Sequence, residues 1–485
     1  MPHVDSPQSL VRLGVSRGDI TPPLGIYWRM WGAATKDHAI GVHQPLTATA
    51  LVLEPLEGEP ANQTQRRVVL LSLDHCLLGR EENDLVTNAV CQAAGLVPTQ
   101  VLVTFTHTHS AGLMSLDRVK LPGGELIPGY LQEVAKTCAR LVVEAVAHLQ
   151  PATIVYGTGR CDLAAQRDYW DQENQCYVCG YDPHTPADDT LLVARATDAA
   201  GRVLATIVNY ACHPTTLAWE NRLMSPDFPG TMRQVVEQAT GGAVCLFLQG
   251  ASGELGPREA YVGDVATAER HGRRLGYAAL STLEGLAPPQ THFEYQGPVV
   301  SGATLGMWKH LPIGNSRRAS LAIWEEVTET LSLPYRVDLP TRAQTESLLT
   351  QYSAEEAKAQ AGGNAIAARD AHALAERQRR MLHRLAQLPT GESYPFALRV
   401  LRLGDAIWIA TEGEHYSYLQ MNLRARFPGR TILITTLTGG WGPSYVPARA
   451  TYGKGIYQES IAVVEPGSLE RITEELARRV EKLLA

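Results

Sequence analysis

Short apolar runs recur along this chain, and most of them stop at polar, chemically reactive residues. The run 68–73 leads into Asp74 and His75, 101–108 carries His107 and leads into His109, and 203–211 ends at Cys212 and His213. Further on, 244–249 precedes Gly250 to Glu254, and 406–410 precedes Glu412 and Glu414, while 431–437 forms a sixth run. Such runs read as buried strands, and the amphipathic stretches 130–149, 231–240 and 265–284 read as helices by their apolar spacing. The resulting fold class is α/β, with mixed β-sheets flanked by helices. Ligands in such folds bind beyond the carboxyl ends of strands, so five reactive strand ends predict one shared site there.

The chain of 485 residues carries a net charge of −7 without long single-sign runs, which removes the electrostatic basis for binding nucleic acid. No apolar run is long enough to span a bilayer, and the first residues lack a signal-peptide pattern, so a cytoplasmic location is expected. Eight cysteines scattered through the first half are expected to stay reduced, the Cys176–Cys179 pair included. Between 340 and 388 the composition shifts to Ala, Gln, Glu and Arg, which predicts two polar helices broken at Gly362 and Gly363. Apolar runs resume afterwards and 468–484 closes as an amphipathic helix. One catalytic domain over 1–485, interrupted by a helical insertion near 340–388, accounts for that order.

The most specific short pattern is Thr106-His107-Thr108-His109-Ser110. On a strand, His107 and His109 would share a face. They could then share a metal, divide metal binding and proton transfer between them, or form a structural pair. His213 ends an apolar strand before Pro214. Glu414 follows a buried run, where a carboxylate must be paired, protonated or metal-bound; Glu412 meets the same description. Two imidazoles and a carboxylate form the ligand set of a catalytic zinc site, although other divalent ions accept the same donors.

At these residues the chain resembles the neutral ceramidase family, zinc amidohydrolases that cleave the N-acyl bond of ceramide. Residues 14–23 (GVSRGDITPP) look like that family's N-terminal signature, and Thr106 to Ser110 is similar to its THTHS motif. His213-Pro214-Thr215-Thr216, followed by Ser225-Pro226-Asp227, matches its second histidine segment. Glu414 falls on its glutamate, and Tyr445, Tyr452 and Tyr457 keep the spacing of its tyrosine run. The resemblance implies one Zn2+ per chain held by His107, His213, Glu414 and Tyr445. It also implies His109 as proton carrier, Tyr457 as oxyanion donor, and Arg167 against the substrate.

Three departures from the family pattern stand out. Gly253-Glu254-Leu255-Gly256-Pro257 puts Gly256 where the family carries a serine, Gln166 replaces an asparagine, and the sandwich domain that many members append is not recognised. Gly256 and the nearby Ser252 join Arg167 as residues expected at the substrate. The expected activity is zinc-dependent hydrolysis of an amide or acyl bond, on ceramide or another small-molecule, lipid-like or saccharide substrate. Two alternatives use the same site: a metal-assisted lyase acting on a uronate-containing saccharide, and a non-catalytic metal-binding relative. Oligomeric state is left open.

Overall fold

The computed structural model describes residues 2–485, and its architecture is mixed α/β. The larger sheet has eight strands in the spatial order Val244–Gln249, Val203–Tyr210, Thr190–Thr197, Gln150–Arg160, Gln8–Asp19, Thr47–Pro55, Val68–Leu73 and Val101–Phe105. Its central pairs are antiparallel, whereas the two edge pairs, Val203–Tyr210 with Val244–Gln249 and Val68–Leu73 with Val101–Phe105, are parallel. A second sheet of four strands contains Trp324–Pro334, Ser393–Leu403, Ala406–Thr411 and Thr431–Thr435, the last two parallel.

The two sheets pack face to face. Leu51, Leu70, Ile154, Ile207 and Leu248 of the larger sheet share one buried cluster with Leu401, Trp408 and Leu433 of the smaller. Helices cover both outer faces. Arg80–Ala94 and Ile127–Ala147 bury Val86, Leu131 and Leu141 against one half of the large sheet, and Phe228–Ala239 and Val265–Glu284 cover the other. On the small sheet the cover is Tyr418–Arg426 and Ser468–Leu484. Both faces of Val68–Leu73, Val244–Gln249 and Ala406–Thr411 are therefore buried, which explains why these sequences are continuous apolar runs rather than alternating ones.

The strand boundaries refine the sequence reading. Residues 68–73 and 244–249 pair as expected, but the 101–108 run leaves the sheet at Phe105. His107 follows in a left-handed conformation, with φ 70°. Strand alternation is therefore not what brings His107 and His109 together; a turn does that.

The insertion is a helical hairpin of Arg342–Ala361 and Ala365–Gln387, turning at Gly362 and Gly363. Its first helix is largely exposed, with Thr345 its buried residue. The second docks on the body: Arg118 Nη1 donates to Glu376 Oε2 at 2.8 Å, and Arg380 Nη2 donates to the Met30 carbonyl at 2.5 Å. All eight cysteines are free, and no described helix is long and apolar enough to cross a membrane.

Candidate metal centre

His107, His213 and Glu414 meet where the parallel strand pairs of the two sheets deliver their carboxyl ends. Each is positioned by backbone. The His107 amide donates to the His75 carbonyl at 2.9 Å, and the His213 amide donates to the Leu255 carbonyl at 3.0 Å. Glu414 starts the short strand Glu414–His415, paired in parallel with Tyr445–Val446. Gly413, at φ 76°, turns the chain into that strand, and a Cβ there would meet the Ser444 carbonyl oxygen at 2.7 Å. Gly253 is the crossing point of the site. Its amide donates to the His415 carbonyl at 2.7 Å, and a side chain on it would strike Tyr416 and the Glu414 carbonyl.

The imidazoles are oriented by their Nδ1 atoms. His107 Nδ1 lies 2.7 Å from the Cys76 carbonyl oxygen, and His213 Nδ1 lies 2.7 Å from that of Ser252. A carbonyl can only accept, so both Nδ1 atoms carry hydrogen and each neutral ring presents a bare Nε2. Those two Nε2 atoms stand 3.3 and 3.1 Å from Glu414 Oε2, and Tyr445 Oη is 3.2 Å from His213 Nε2. Among neutral rings that geometry sets lone pairs against a carboxylate, which is repulsive unless a proton or a metal ion lies between them.

Electrostatics states the same conflict. Burial would lower His107, but Cys76 and Glu414 outweigh it and hold the ring well above the ordinary histidine value. Burial would raise Glu414, but His107 and His213 hold it well below the ordinary carboxylate range. His213 is lowered to about 3 by burial and by Arg167.

The donor set fits a zinc ion. Ligand atoms about 2.0–2.1 Å from a tetrahedral ion stand roughly 3.3 Å apart, as these do. His107 Nε2, buried and without a hydrogen-bond partner, completes the match. Cys76, His107 and His109 form a second group of adjacent donors, with Cys76 Sγ 3.6 Å from each ring. The His107 nitrogen nearest that sulfur is Nδ1, already engaged with a carbonyl, so the second group is the poorer one.

The other expected residues divide by position. The His109 ring centroid is 5.0 Å from that of His107, with the Trp31 ring tilted against it at 5.2 Å. Burial and the neighbouring His107 and His213 lower His109 well below the ordinary histidine value, which leaves its ring neutral. Tyr457 lies with its ring 5.9 Å from Tyr445 and, 45% exposed, reaches the open side. Tyr452 instead donates to the Val464 carbonyl at 3.2 Å, away from the cluster.

Arg167 is buried. Its Nη2 donates to the Gly253 carbonyl at 2.6 Å and to Tyr445 Oη at 3.1 Å, and its Nε has no partner. It is not paired with Asp168, which accepts from Tyr416 and Gln458. The Ser252 hydroxyl sits on the Nδ1 side of His213, at 3.3 Å, and accepts from Gln249 Nε2 at 2.6 Å. That is the side turned from the converging Nε2 atoms. Gly256 borders Thr215 and Arg167, and a Cβ added there would meet them at ordinary contact distances of 3.6 and 3.8 Å. Glu412 is held by the Tyr394 hydroxyl, which separates its role from that of Glu414. Asp74 anchors the turn from behind, accepting from both Arg233 nitrogens at 2.8 and 2.6 Å and from Thr106 at 3.0 Å.

Residues 11–261 match the family described as neutral/alkaline non-lysosomal ceramidase, N-terminal. The chain belongs to that family. It is 25% identical over 279 residues to neutral ceramidase A of Dictyostelium discoideum, a match covering 52% of this chain and 36% of that protein. Against the neutral ceramidase of Pseudomonas aeruginosa the identity is 25% over 257 residues, covering 51% and 37%. These matches therefore span little more than a third of the relatives' length. In structure, the fold is shared with a ceramidase solved in complex with C2, at TM-score 0.63 and 17% identity, covering 99% of this chain and 76% of that one. The crystal structure of neutral ceramidase from Pseudomonas aeruginosa gives TM-score 0.62 at 16% identity, covering 98% and 74%. His107, His109, Arg167 and His213 lie inside the family match, while Glu414, Tyr445 and Tyr457 lie beyond it.

Sequence reasoning passed over Cys76 and Trp31. Cys76 directly follows the reactive strand end at Asp74 and His75, so its position was a usable signal. Trp31 carried none, because a tryptophan in a loop looks like an ordinary residue.

Proposed function

We propose that this chain is a zinc-dependent hydrolase of an amide or acyl bond, working as one catalytic domain. The observation that carries the reading is the convergence of two bare imidazole nitrogens, a carboxylate and a phenol from four separate segments. His107, His213, Glu414 and Tyr445 would hold the metal. Bound there, zinc lowers the pKa of water toward neutrality and polarises a carbonyl oxygen.

The chain's own residues supply the rest. His109, neutral and beside the ligand cluster, takes a proton during attack and returns it to the leaving group. Tyr457 donates its hydroxyl to the oxygen that becomes negative. Arg167 orients Tyr445 and turns its unpartnered Nε toward a polar part of the substrate. Trp31 closes one side and limits water around His109. Gly256 offers no hydroxyl, so this mechanism uses no serine nucleophile.

The family supports this chemistry and the donor geometry supports the metal; the substrate is ceramide or another N-acyl compound. The test is incubation of the purified protein with ceramide and with simpler N-acyl amides, with and without chelator. Equimolar free acid and amine, lost on chelation and restored by zinc, is the expected result. An unsaturated product absorbing in the ultraviolet, or activity indifferent to chelation, would overturn the proposal.

A further inference from the structure

The helical hairpin buries a cation against Trp441, four residues before Tyr445. Arg384, on the Ala365–Gln387 helix, is 6% exposed. Its guanidinium carbon lies 5.0 Å from the centre of the Trp441 ring, and Nη1 touches Met381 Sδ at 3.8 Å. No carboxylate pairs with it among the described residues, and its Nε is buried without a hydrogen-bond partner. The Trp441 indole Nε1 is likewise buried and unpartnered.

Both residues line one cavity of about 300 Å³, together with Arg80, Asp84, Gln387 and Glu412. Glu412 is turned to the Tyr394 hydroxyl and makes no ion pair with Arg384. Burial lowers Arg384 to about 10. A buried guanidinium without an anion is costly, and burying arginine unpaired is rare. Elsewhere on the same hairpin the buried ionic group is satisfied, since Glu376 holds Arg118 and Arg380. Arg384 is the exception, and its cavity is lined by Glu412 and Gly442, two and three residues along the chain from Glu414 and Tyr445.

We propose that Arg384 and Trp441 form a carboxylate subsite, so that the preferred substrate carries a carboxylate within reach of the bond that is cleaved. A carboxylate matches the forked Nε–Nη edge of a guanidinium, and the indole N–H adds a third donor. This deepens the hydrolase reading and rests on it for the position of the reacting bond. It separates the expected substrate from ceramide, which has no anionic group.

The experiment compares matched pairs that differ in the acid alone: N-lauroylglycine with N-lauroylethanolamine, and N-butylglutaramic acid with N-butylpentanamide. In at least one pair the unaltered protein should favour the acid, and Arg384→Gln should lower the acid-to-neutral ratio of kcat/KM at least tenfold. Trp441→Phe keeps the ring under the guanidinium and removes the N–H, and it should lower the same ratio severalfold if Arg384→Gln does not fold. A ratio unchanged by both substitutions, or no preference for either acid, overturns the subsite. If neither pair is cleaved, the hydrolase reading fails on these amides while the subsite remains testable. Calorimetry should then show the acids binding more tightly than their neutral partners and at least tenfold more weakly to Arg384→Gln. Equal binding overturns the proposal.

Discussion

His213 faces Glu414 across 3.1 Å with the one ring nitrogen that bears no hydrogen, because its other nitrogen is held by the Ser252 carbonyl. The pair makes sense around a cation. Protein purified without chelator should contain about one zinc per chain by elemental analysis. His213→Ala and Glu414→Ala should each lose most of it, since a small ligand set tolerates a lost donor poorly. His109→Ala should keep the metal and lose turnover. A fully active metal-free preparation would exclude the assignment, and equal metal loss in His109→Ala would make His109 a ligand.

Arg167→Lys is a second test. Arg167 Nη2 alone donates to the Gly253 carbonyl and to Tyr445 Oη, and a lysine ammonium, one bond shorter and without Nε, does not reach that position. Charged hydrogen bonds of this kind contribute about 1.5–3 kcal/mol, so kcat/KM should fall by about tenfold to a hundredfold. The circular dichroism spectrum should be unchanged. Unaltered kinetics would reduce Arg167 to a structural arginine.

Catalysis without serine makes a sharper claim. Ser252→Ala leaves the backbone carbonyl that orients His213 in place and removes only a hydroxyl on the far side of the ring. Most of the rate should survive, and serine-directed phosphonates should not inhibit. Gly256→Ser should fold normally, because a Cβ there has ordinary contacts. A covalent acyl-enzyme on any serine, detected by mass spectrometry, would show the mechanism to be wrong.

Docking of the helical hairpin should depend on pH. Burial would raise Glu376, but Arg380 and Arg118 outweigh it and lower the carboxyl from 4.5 to about 2. A carboxylate depressed in the folded state stabilises fully above its unfolded value of 4.5, and that contribution disappears as pH falls toward 2. The shift corresponds to roughly 3 kcal/mol. Hydrogen exchange in the Ala365–Gln387 helix should accelerate over that acid range, and Glu376→Gln should abolish the change. Acid-insensitive exchange in the unaltered protein would refute the linkage.

Several features were legible in the chain itself because they are local. Runs 68–73 and 244–249 are strands because β-branched and leucine side chains fill two covered faces. Gly362 and Gly363 break the inserted helices where the backbone must reverse. The donor types, His107, His213 and Glu414, stood out because an imidazole or carboxylate after a buried strand needs a partner.

The partners themselves were decided by tertiary structure. Glu412 and Glu414 look alike in sequence, yet the turn at Gly413 sends one to Tyr394 and the other to the histidines. His107 and His109 were read as strand neighbours, whereas the chain leaves the sheet at Phe105 and a left-handed residue sets their rings. Arg384 was invisible because its meaning lies in what it lacks, a counter-ion, and only packing against Trp441 and the body reveals that. Sequence determines which groups a segment can offer; long-range packing determines which of them meet, because atoms separated by hundreds of residues are oriented by backbone carbonyls that no local pattern encodes.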